Sequence, residues 1–175
     1  FYSYMTVQHK NLKPINSLIV RILKRVWHSW PDFCVPYKLP WGIRVFLRQD
    51  GTSFGLLDGT YPEQEELHWI QQVLKPGMVF FDIGANLGIY SLTAAKAVSK
   101  TGHVYSFEPV PSALKKLESN VRLNSLNNVT IVRKAIGNQD GSVSMHACIP
   151  LKDGFSSIAR PYKFLDNQWN LIDVN

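Results

Sequence analysis

The sequence is poor in cysteine, which excludes several classes of small protein and site. Its two cysteines, Cys34 and Cys148, lie far apart, and neither belongs to a Cys-x-x-Cys or Cys/His pattern. A disulfide framework needs several cysteines, and a structural zinc site needs ligands at short, characteristic spacings. We therefore expect no disulfide scaffold and no metal site. The composition is compatible with a reducing compartment.

The sequence also lacks an apolar run long enough to cross a bilayer. Its most apolar N-terminal stretch contains Arg21, Lys24 and Arg25, which the core of a signal peptide does not tolerate well. We therefore predict a cytoplasmic protein. With 175 residues, of which 45% are hydrophobic, the chain can bury one ordinary core. We expect an N-terminal extension over residues 1–60 and one domain over residues 61–175.

Acidic residues are missing from residues 1–31, where five of the lysines and arginines lie. Apolar residues recur in this segment at helical spacing: Ile15, Leu18, Ile19, Ile22, Val26 and Trp30. This pattern predicts a basic amphipathic helix. We expect residues 15–30 to dock on the domain core or a partner subunit, with peripheral contact to an anionic membrane as the alternative. Nucleic acid is not expected as a partner, because aromatic residues do not alternate with the basic ones.

The rest of the extension is predicted to be a linker and a β-hairpin. Three prolines interrupt helix formation, namely Pro31, Pro36 and Pro40. After them, residues 43–48 and 53–57 are typical of two strands, and the Asp50-Gly51 pair between them is typical of a hairpin turn.

Beyond residue 61, helical and strand patterns alternate along the chain. Helices are predicted at 62–74, 87–100 and 112–123, and strands at 78–82, 104–107, 129–134 and 142–149. This alternation predicts an α/β fold with a Rossmann-like, mostly parallel sheet. Ligands of such sheets bind at the carboxyl ends of the strands.

A glycine-rich turn follows the first of these parallel strands. Residues 79–88 read Val-Phe-Phe-Asp-Ile-Gly-Ala-Asn-Leu-Gly, so Asp82 ends the strand and Gly84 and Gly88 bracket the turn. Glycine allows a ligand to approach the backbone closely, and the N–H groups of the following helix attract a carboxylate or phosphate. The second glycine of a dinucleotide site is missing, because Asn86 stands in its place.

Acidic residues at the ends of two strands favour a cationic nucleoside. Glu108 follows the second strand, where an acceptor-only carboxylate suits a ribose diol. Asp82 lies where a pyrophosphate is repelled and an ammonium or sulfonium is attracted. S-adenosylmethionine carries a sulfonium, an ammonium and a free ribose, so it suits the two acids better than NAD does.

Taken in order, these motifs resemble the FkbM-type family of class I S-adenosylmethionine-dependent methyltransferases. The resemblance covers about residues 61–141 and rests on five stretches: Leu74–Gly77, Phe81–Tyr90, Phe107–Pro109, Asn127–Val129 and Ala135–Gly137. It implies that nine residues bind S-adenosyl-L-methionine: Asp82, Gly84, Ala85, Asn86, Gly88, Glu108, Val110, Ala135 and Ile136. In that family the counterpart of Asp82 lies by the methionine part of the cofactor, and the counterpart of Glu108 holds the ribose.

The resemblance also implies a seven-stranded sheet, of which the sequence supplies three clear strands and a fourth candidate at residues 171–174. We expect a truncated chain, since it begins at Phe1 and ends near a family segment reading Lys-Ile-Asp-Val-Glu-Gly. Asp173 lies in the matching Ile-Asp-Val stretch and is our candidate catalytic base, with a role in shaping the pocket as the alternative.

The predicted function is methyl transfer from S-adenosylmethionine to an oxygen of a small molecule, such as a hydroxyl of a sugar or another secondary metabolite. This in-line displacement depends on alignment and on exclusion of water, with a base to assist loss of the hydroxyl proton. Two alternatives stay open. One is an NAD-dependent oxidoreductase, and the other is a non-catalytic nucleoside-binding or membrane-associated module.

Overall fold

The chain begins with a helix and an antiparallel hairpin, followed by an α/β unit. The computed structural model describes residues 15, 17–61, 63–139, 141–148 and 169–174. Helix α1 (Ser17–Ser29) is followed by the hairpin strands β1 (Val35–Lys38) and β2 (Arg44–Leu47), and then by helices α2 (Gly51–Asp58) and α3 (Gln64–Val73).

The hairpin contains only one of the two predicted strands, since β2 lies within the predicted strand 43–48. The segment 53–57 lies inside α2, and the segment predicted as a linker supplies β1. The Asp50-Gly51 pair starts a helix here, because the extended Asp50 accepts the backbone N–H of Ser53 at 2.8 Å and so caps α2. The prediction of a strand at 53–57 was therefore wrong.

The cap of α2 also forms an ion pair, and this gives a first testable prediction. The buried Asp50 carboxylate lies 3.0 Å from the ammonium of Lys116. We expect Asp50→Ala to lower the free energy of unfolding by about 2 kcal/mol, because it removes both the cap and the charge partner. Asp50→Asn retains a capping oxygen and should cost roughly half as much. Urea denaturation of both variants checks this. Equal losses of unfolding free energy in the two variants would contradict the separation into a capping contribution and an ion-pair contribution.

The α/β unit is a parallel three-stranded sheet with helices between its strands. Its elements after α3 are β3 (Val79–Ile83), α4 (Ile89–Ala97), β4 (His103–Phe107), α5 (Pro111–Leu123) and β5 (Val129–Val132). The strand order is β3-β4-β5, and Asp82 of β3 lies opposite Ser106 of β4 in the register. The α/β fold with a parallel sheet is therefore confirmed.

The last two strands form a sheet of their own. Strand β6 (Val143–Cys148) pairs antiparallel with β7 (Trp169–Val174), and the Cα partner of Asp173 is Ser144. The prediction that residues 171–174 add a fourth strand to the parallel sheet was wrong. The pairing with β6 also removes the reason for placing Asp173 beside a ligand at the end of a parallel strand. Its role as a base stays a prediction, without support from this topology.

Helix α1 docks on the core, but mainly through side chains other than the predicted ones. Trp27 is completely buried, its indole N–H donates to the carbonyl of Phe33 at 2.8 Å, and Val20 and Leu23 pack beside the same core. Of the predicted stripe, Ile15 also packs against this core, whereas Ile19 and Ile22 are about half exposed. The stripe and the buried face lie on neighbouring sides of one helix, so periodicity alone assigned the wrong one. No helix in the described part of the chain has the length and hydropathy needed to span a bilayer.

The main core lies on one face of the parallel sheet. Leu92 of α4 and Leu117 of α5 are fully buried in a cluster that Val129 and Ile131 of β5 join. On the opposite face, Phe81 and Ile83 are 60% and 65% exposed among the described residues. The helices therefore cover the face of the sheet on which the side chains of Asp82 and Ser106 lie.

Candidate functional site

The predicted site residues converge at the carboxyl edge of the parallel sheet. Strand β3 ends at the turn 84–88, β4 ends at residues 108–110, and β5 ends at the loop that contains Ala135 and Ile136. In this loop Ala135 is half-buried and Ile136 is exposed. Because parallel strands end at the same edge, three segments remote in sequence come together.

The turn after β3 has the backbone conformation that its glycines predict. Gly84, Asn86 and Gly88 have φ angles of +81°, +49° and +94°. The N–H groups of Gly84 and Ala85 both donate to the carbonyl of Phe107, each at 2.9 Å, which ties the turn to the end of β4. A Cβ built on Gly84 meets no atom within 4 Å, whereas one on Gly88 would overlap Leu117. Gly84 therefore faces open space, whereas Gly88 faces the side chain of Leu117 and is favoured by its positive φ.

Glu108 holds the turn from the neighbouring strand. Its side chain is buried, and one carboxylate oxygen accepts the N–H of Asn86 at 2.8 Å while the other accepts the N–H of Val110 at 2.8 Å. A carboxylate only accepts hydrogen bonds, so Glu108 is of the chemical type that suits ligand hydroxyls. The sequence indicated an acid at this position, but not its bonds to the backbone on both sides.

Asp82 is held by two buried hydroxyls that the sequence interpretation missed. Its Oδ2 accepts the hydroxyl of Ser91 on α4 at 2.5 Å, and Ser91 Oγ lies 2.6 Å from Ser106 Oγ on β4. Burial raises the pKa of the Asp82 carboxyl, and the hydrogen bonds from Ser91 act in the opposite direction. One signal in the sequence pointed to Ser106, because it lies at the same position of its strand as Asp82 does.

A second acidic group lies near Asp82, and the sequence interpretation missed this too. The hydroxyl of the buried Tyr61 donates to Glu63 Oε2 at 2.5 Å, just before α3. Burial, reinforced by the Glu63 and Glu66 carboxylates and by Asp82, raises the pKa of Tyr90 to about 12. Glu63 also raises the pKa of Asp82. These carboxylates create a negative potential near the turn, and that potential favours a cation.

The turn also contains a buried acceptor without a partner. Within the described part of the chain, Asn86 Oδ1 is buried and accepts no hydrogen bond. Such an atom costs free energy unless a donor reaches it, and ligand hydroxyl or N–H groups are donors of that kind. Together with the open space beside Gly84, this acceptor fits a ligand that carries hydroxyl or ammonium groups.

Comparison with known families shows to which class of protein the chain belongs. The sequence pattern described as the TRM5/TYW2 methyltransferase domain matches residues 60–147, half of the chain. The chain belongs to this family. It is therefore a class I S-adenosylmethionine-dependent methyltransferase domain. The matched stretch includes the glycine-rich turn, Asp82 and Glu108.

Curated relatives of this methyltransferase domain match it over part of their length. The ribosomal protein L11 methyltransferase of Caldanaerobacter subterraneus subsp. tengcongensis is 35% identical over 121 residues, which cover 59% of this chain and 37% of the relative. The protein of the same description from Bacillus cytotoxicus is 34% identical over 83 residues, which cover 47% and 25% of the two chains. The chain thus spans between 25% and 37% of the length of these relatives.

Solved structures of methyltransferases also resemble the domain in part. Trm5b of Pyrococcus abyssi is 25% identical, with 60% of this chain and 28% of that chain covered and a TM-score of 0.45. TYW2 of M. jannaschii, solved with AdoMet, is 26% identical, with 57% and 42% covered and a TM-score of 0.46. An rRNA methylase of Streptococcus thermophilus is 17% identical, with 42% and 39% covered and a TM-score of 0.38.

The comparisons correct the predicted partners of the methyltransferase domain. The prediction named a small-molecule hydroxyl acceptor and excluded nucleic acid. The relatives in the TRM5/TYW2 family are instead RNA methyltransferases, and the curated relatives are by their description methyltransferases of a ribosomal protein. The prediction was wrong because it inferred the acceptor from a motif that it had assigned to the methyl donor alone.

Proposed function

We propose that this domain binds S-adenosylmethionine at the carboxyl edge of its sheet and serves methyl transfer to RNA. The observation that carries the proposal is the family match over residues 60–147, which includes the glycine-rich turn and both buried carboxylates. The formal net charge of +6 is a second support, since a basic protein is attracted to a phosphate backbone.

The proposed contacts follow from the chemistry of each group. Glu108 accepts the ribose hydroxyls, because a carboxylate is an acceptor only, and Asn86 Oδ1 accepts a further donor of the cofactor. Asp82, supported by Glu63, attracts the ammonium and sulfonium charges. Val110, Ala135 and Ile136 flank the adenine.

The protein has little covalent chemistry to perform in this reaction. When bound, S-adenosylmethionine supplies an electrophilic methyl group on its sulfonium. The residues of this chain then have to orient the donor and exclude water from it. The buried Asp82 and Glu108 keep their positions through bonds to neighbouring groups, so they need no rearrangement when the donor binds.

A ribosomal protein is the second candidate acceptor. It is favoured by the 35% identity to a ribosomal protein L11 methyltransferase over 121 residues. The FkbM-type resemblance, the cytoplasmic location and the boundary at residue 60 stay predictions.

Two measurements test the proposal. Isothermal titration should show that the 175-residue chain binds S-adenosylhomocysteine and does not bind NAD, and binding of NAD alone would overturn the cofactor assignment. Methyl-tritiated S-adenosylmethionine, incubated with ribosomal RNA, transfer RNA and ribosomal proteins, then identifies the acceptor. Label that ribonuclease releases supports RNA, whereas label that only protease releases supports the second candidate.

Gly84 provides a sharper test of the proposed site. We expect Gly84→Ala to weaken S-adenosylhomocysteine binding at least about tenfold, because the new methyl group enters the open space at the turn. Gly77→Ala is the matched control, since its φ of +90° imposes the same backbone strain at the other end of β3. Titration of both variants checks this, and equal affinities in the two would show that the cofactor does not approach Gly84.

A further inference from the structure

Three buried side chains beside the turn, those of Ser106, Ser91 and Asp82, are joined by two hydrogen bonds that both donate toward Asp82. Ser91 has a single hydroxyl proton, and it donates that proton to Asp82 Oδ2. The bond between Ser91 and Ser106 therefore needs the proton of Ser106, so Ser106 donates to Ser91 and Ser91 donates to Asp82. In such a series of hydrogen bonds, each hydroxyl donates toward the carboxylate. This strengthens the bond from Ser91 to Asp82 and favours the charged form of Asp82.

The fold places these groups together from three different elements. Asp82 and Ser106 are direct neighbours across β3 and β4, and both face the helices. Ser91 lies on α4, where it is completely buried, as Ser106 is. The other charged or titratable groups that act on Asp82 are Glu63, before α3, and Tyr90, on α4. Glu63 disfavours the charged form of Asp82, so the two serines oppose both burial and this neighbour.

We propose that Ser91 and Ser106 are positioning residues of the cofactor site: their paired hydroxyls hold the Asp82 carboxylate in place, in its charged form, for the cationic end of S-adenosylmethionine. The proposal rests on the function proposed above. Serine hydroxyls in a core often serve folding alone, so the test must separate a role in stability from a role in the charge of Asp82.

The experiment compares two variants of α4 that each lose one buried hydroxyl. Ser91→Ala removes the donor to Asp82. Thr93→Val is the control, because the Thr93 hydroxyl donates to Ile89 in its own helix and accepts from the Trp41 indole. The readouts are the affinity for S-adenosylhomocysteine from about pH 5 to about pH 8 and the titration of the Asp82 carboxyl carbon by NMR without ligand.

Affinity requires the charged carboxylate, so it is present above the pKa of Asp82 and lost as the pH falls through it. Ser91→Ala should raise the pH of half-maximal affinity by about one unit, which makes binding about tenfold weaker below both midpoints and leaves it nearly normal well above them. Thr93→Val should lower the unfolding temperature without moving that midpoint. Ser106→Ala removes only the outer donor and should give a smaller shift in the same direction, which keeps the test available if Ser91→Ala does not fold.

The outcomes separate the two proposals. If the unmodified chain binds S-adenosylhomocysteine but the affinity and NMR midpoints stay unchanged in Ser91→Ala and Ser106→Ala, the serines are merely structural. If the unmodified chain binds no S-adenosylhomocysteine at any pH, the proposed function fails and the purpose of the hydroxyl pair fails with it. An equal shift in Thr93→Val would also overturn the positioning role, because that hydroxyl does not contact Asp82.

Discussion

Replacing Glu108 with alanine is expected to weaken S-adenosylhomocysteine binding by about 1.5–3 kcal/mol and to lower the free energy of unfolding by about 2–4 kcal/mol. The loss of affinity follows from the removed acceptor for the ribose hydroxyls. The loss of stability follows from the N–H groups of Asn86 and Val110, which would both lose the oxygen that accepts them. Calorimetry and urea denaturation measure the two effects separately.

Two further variants distinguish the loss of the specific contacts of Glu108 from a general effect of removing a negative charge. Glu108→Gln keeps one oxygen but turns an amide N–H₂ toward a backbone N–H, so we expect it to recover only part of the stability. Glu118→Ala is the control for removing an acid, because Glu118 contacts the exposed Arg133 at 2.6 Å, away from the turn. Normal affinity in a folded Glu108→Ala protein would exclude Glu108 from the ribose site, and an equal loss in Glu118→Ala would indicate a general effect of charge.

Replacing Gly102 with alanine is expected to destabilise the fold by about 3 kcal/mol or more, the upper range for overpacking a core. A Cβ at this position would overlap the carbonyl oxygen of Met78 and lie 2.5 Å from Val98 Cβ and 2.7 Å from Val98 O. Two of these atoms belong to the backbone, which cannot move aside as a side chain does. Either the start of β3 or the end of α4 must shift.

Thermal unfolding checks this expectation, and the midpoint should fall by roughly 6–12 °C in a chain of this size. Gly137→Ala is the matched control. A Cβ there meets only Gln139 O at 3.9 Å, so we expect a change within about 0.5 kcal/mol. A Gly102→Ala protein as stable as the Gly137→Ala protein would mean that β3 and α4 are packed less tightly at this point than the distances indicate.

The candidate site was predictable where its signals are local in the sequence. A strand that ends in Asp82, a turn that needs Gly84 and Gly88, and a second strand that ends in Glu108 each follow from neighbouring residues. Parallel strands bring such ends to one edge, so the convergence could also be expected. The bond from Ser91 to Asp82 and the acidic contribution of Glu63 join different elements, and local pattern does not reveal them.

The errors have a common physical origin. An Asp-Gly pair is compatible with both a hairpin turn and a helix start, and the fold selects the helix because Asp50 caps α2 and pairs with Lys116. Helix α1 has apolar side chains on two adjacent faces, and contact with the core selects the face of Trp27. Residues 171–174 have the composition of a core strand, but pairing with β6 selects a different sheet.

The alternation of strands and helices, the bend after β3 and the acids on either side of it could be read from the sequence, since these depend on backbone preferences and short spacings. The buried face of α1, the strand that β7 joins, and the bonds that hold Asp82 and Glu108 follow only from the fold. Those outcomes depend on contacts between residues far apart in the chain, whose free energies outweigh the small local preferences that a sequence pattern records.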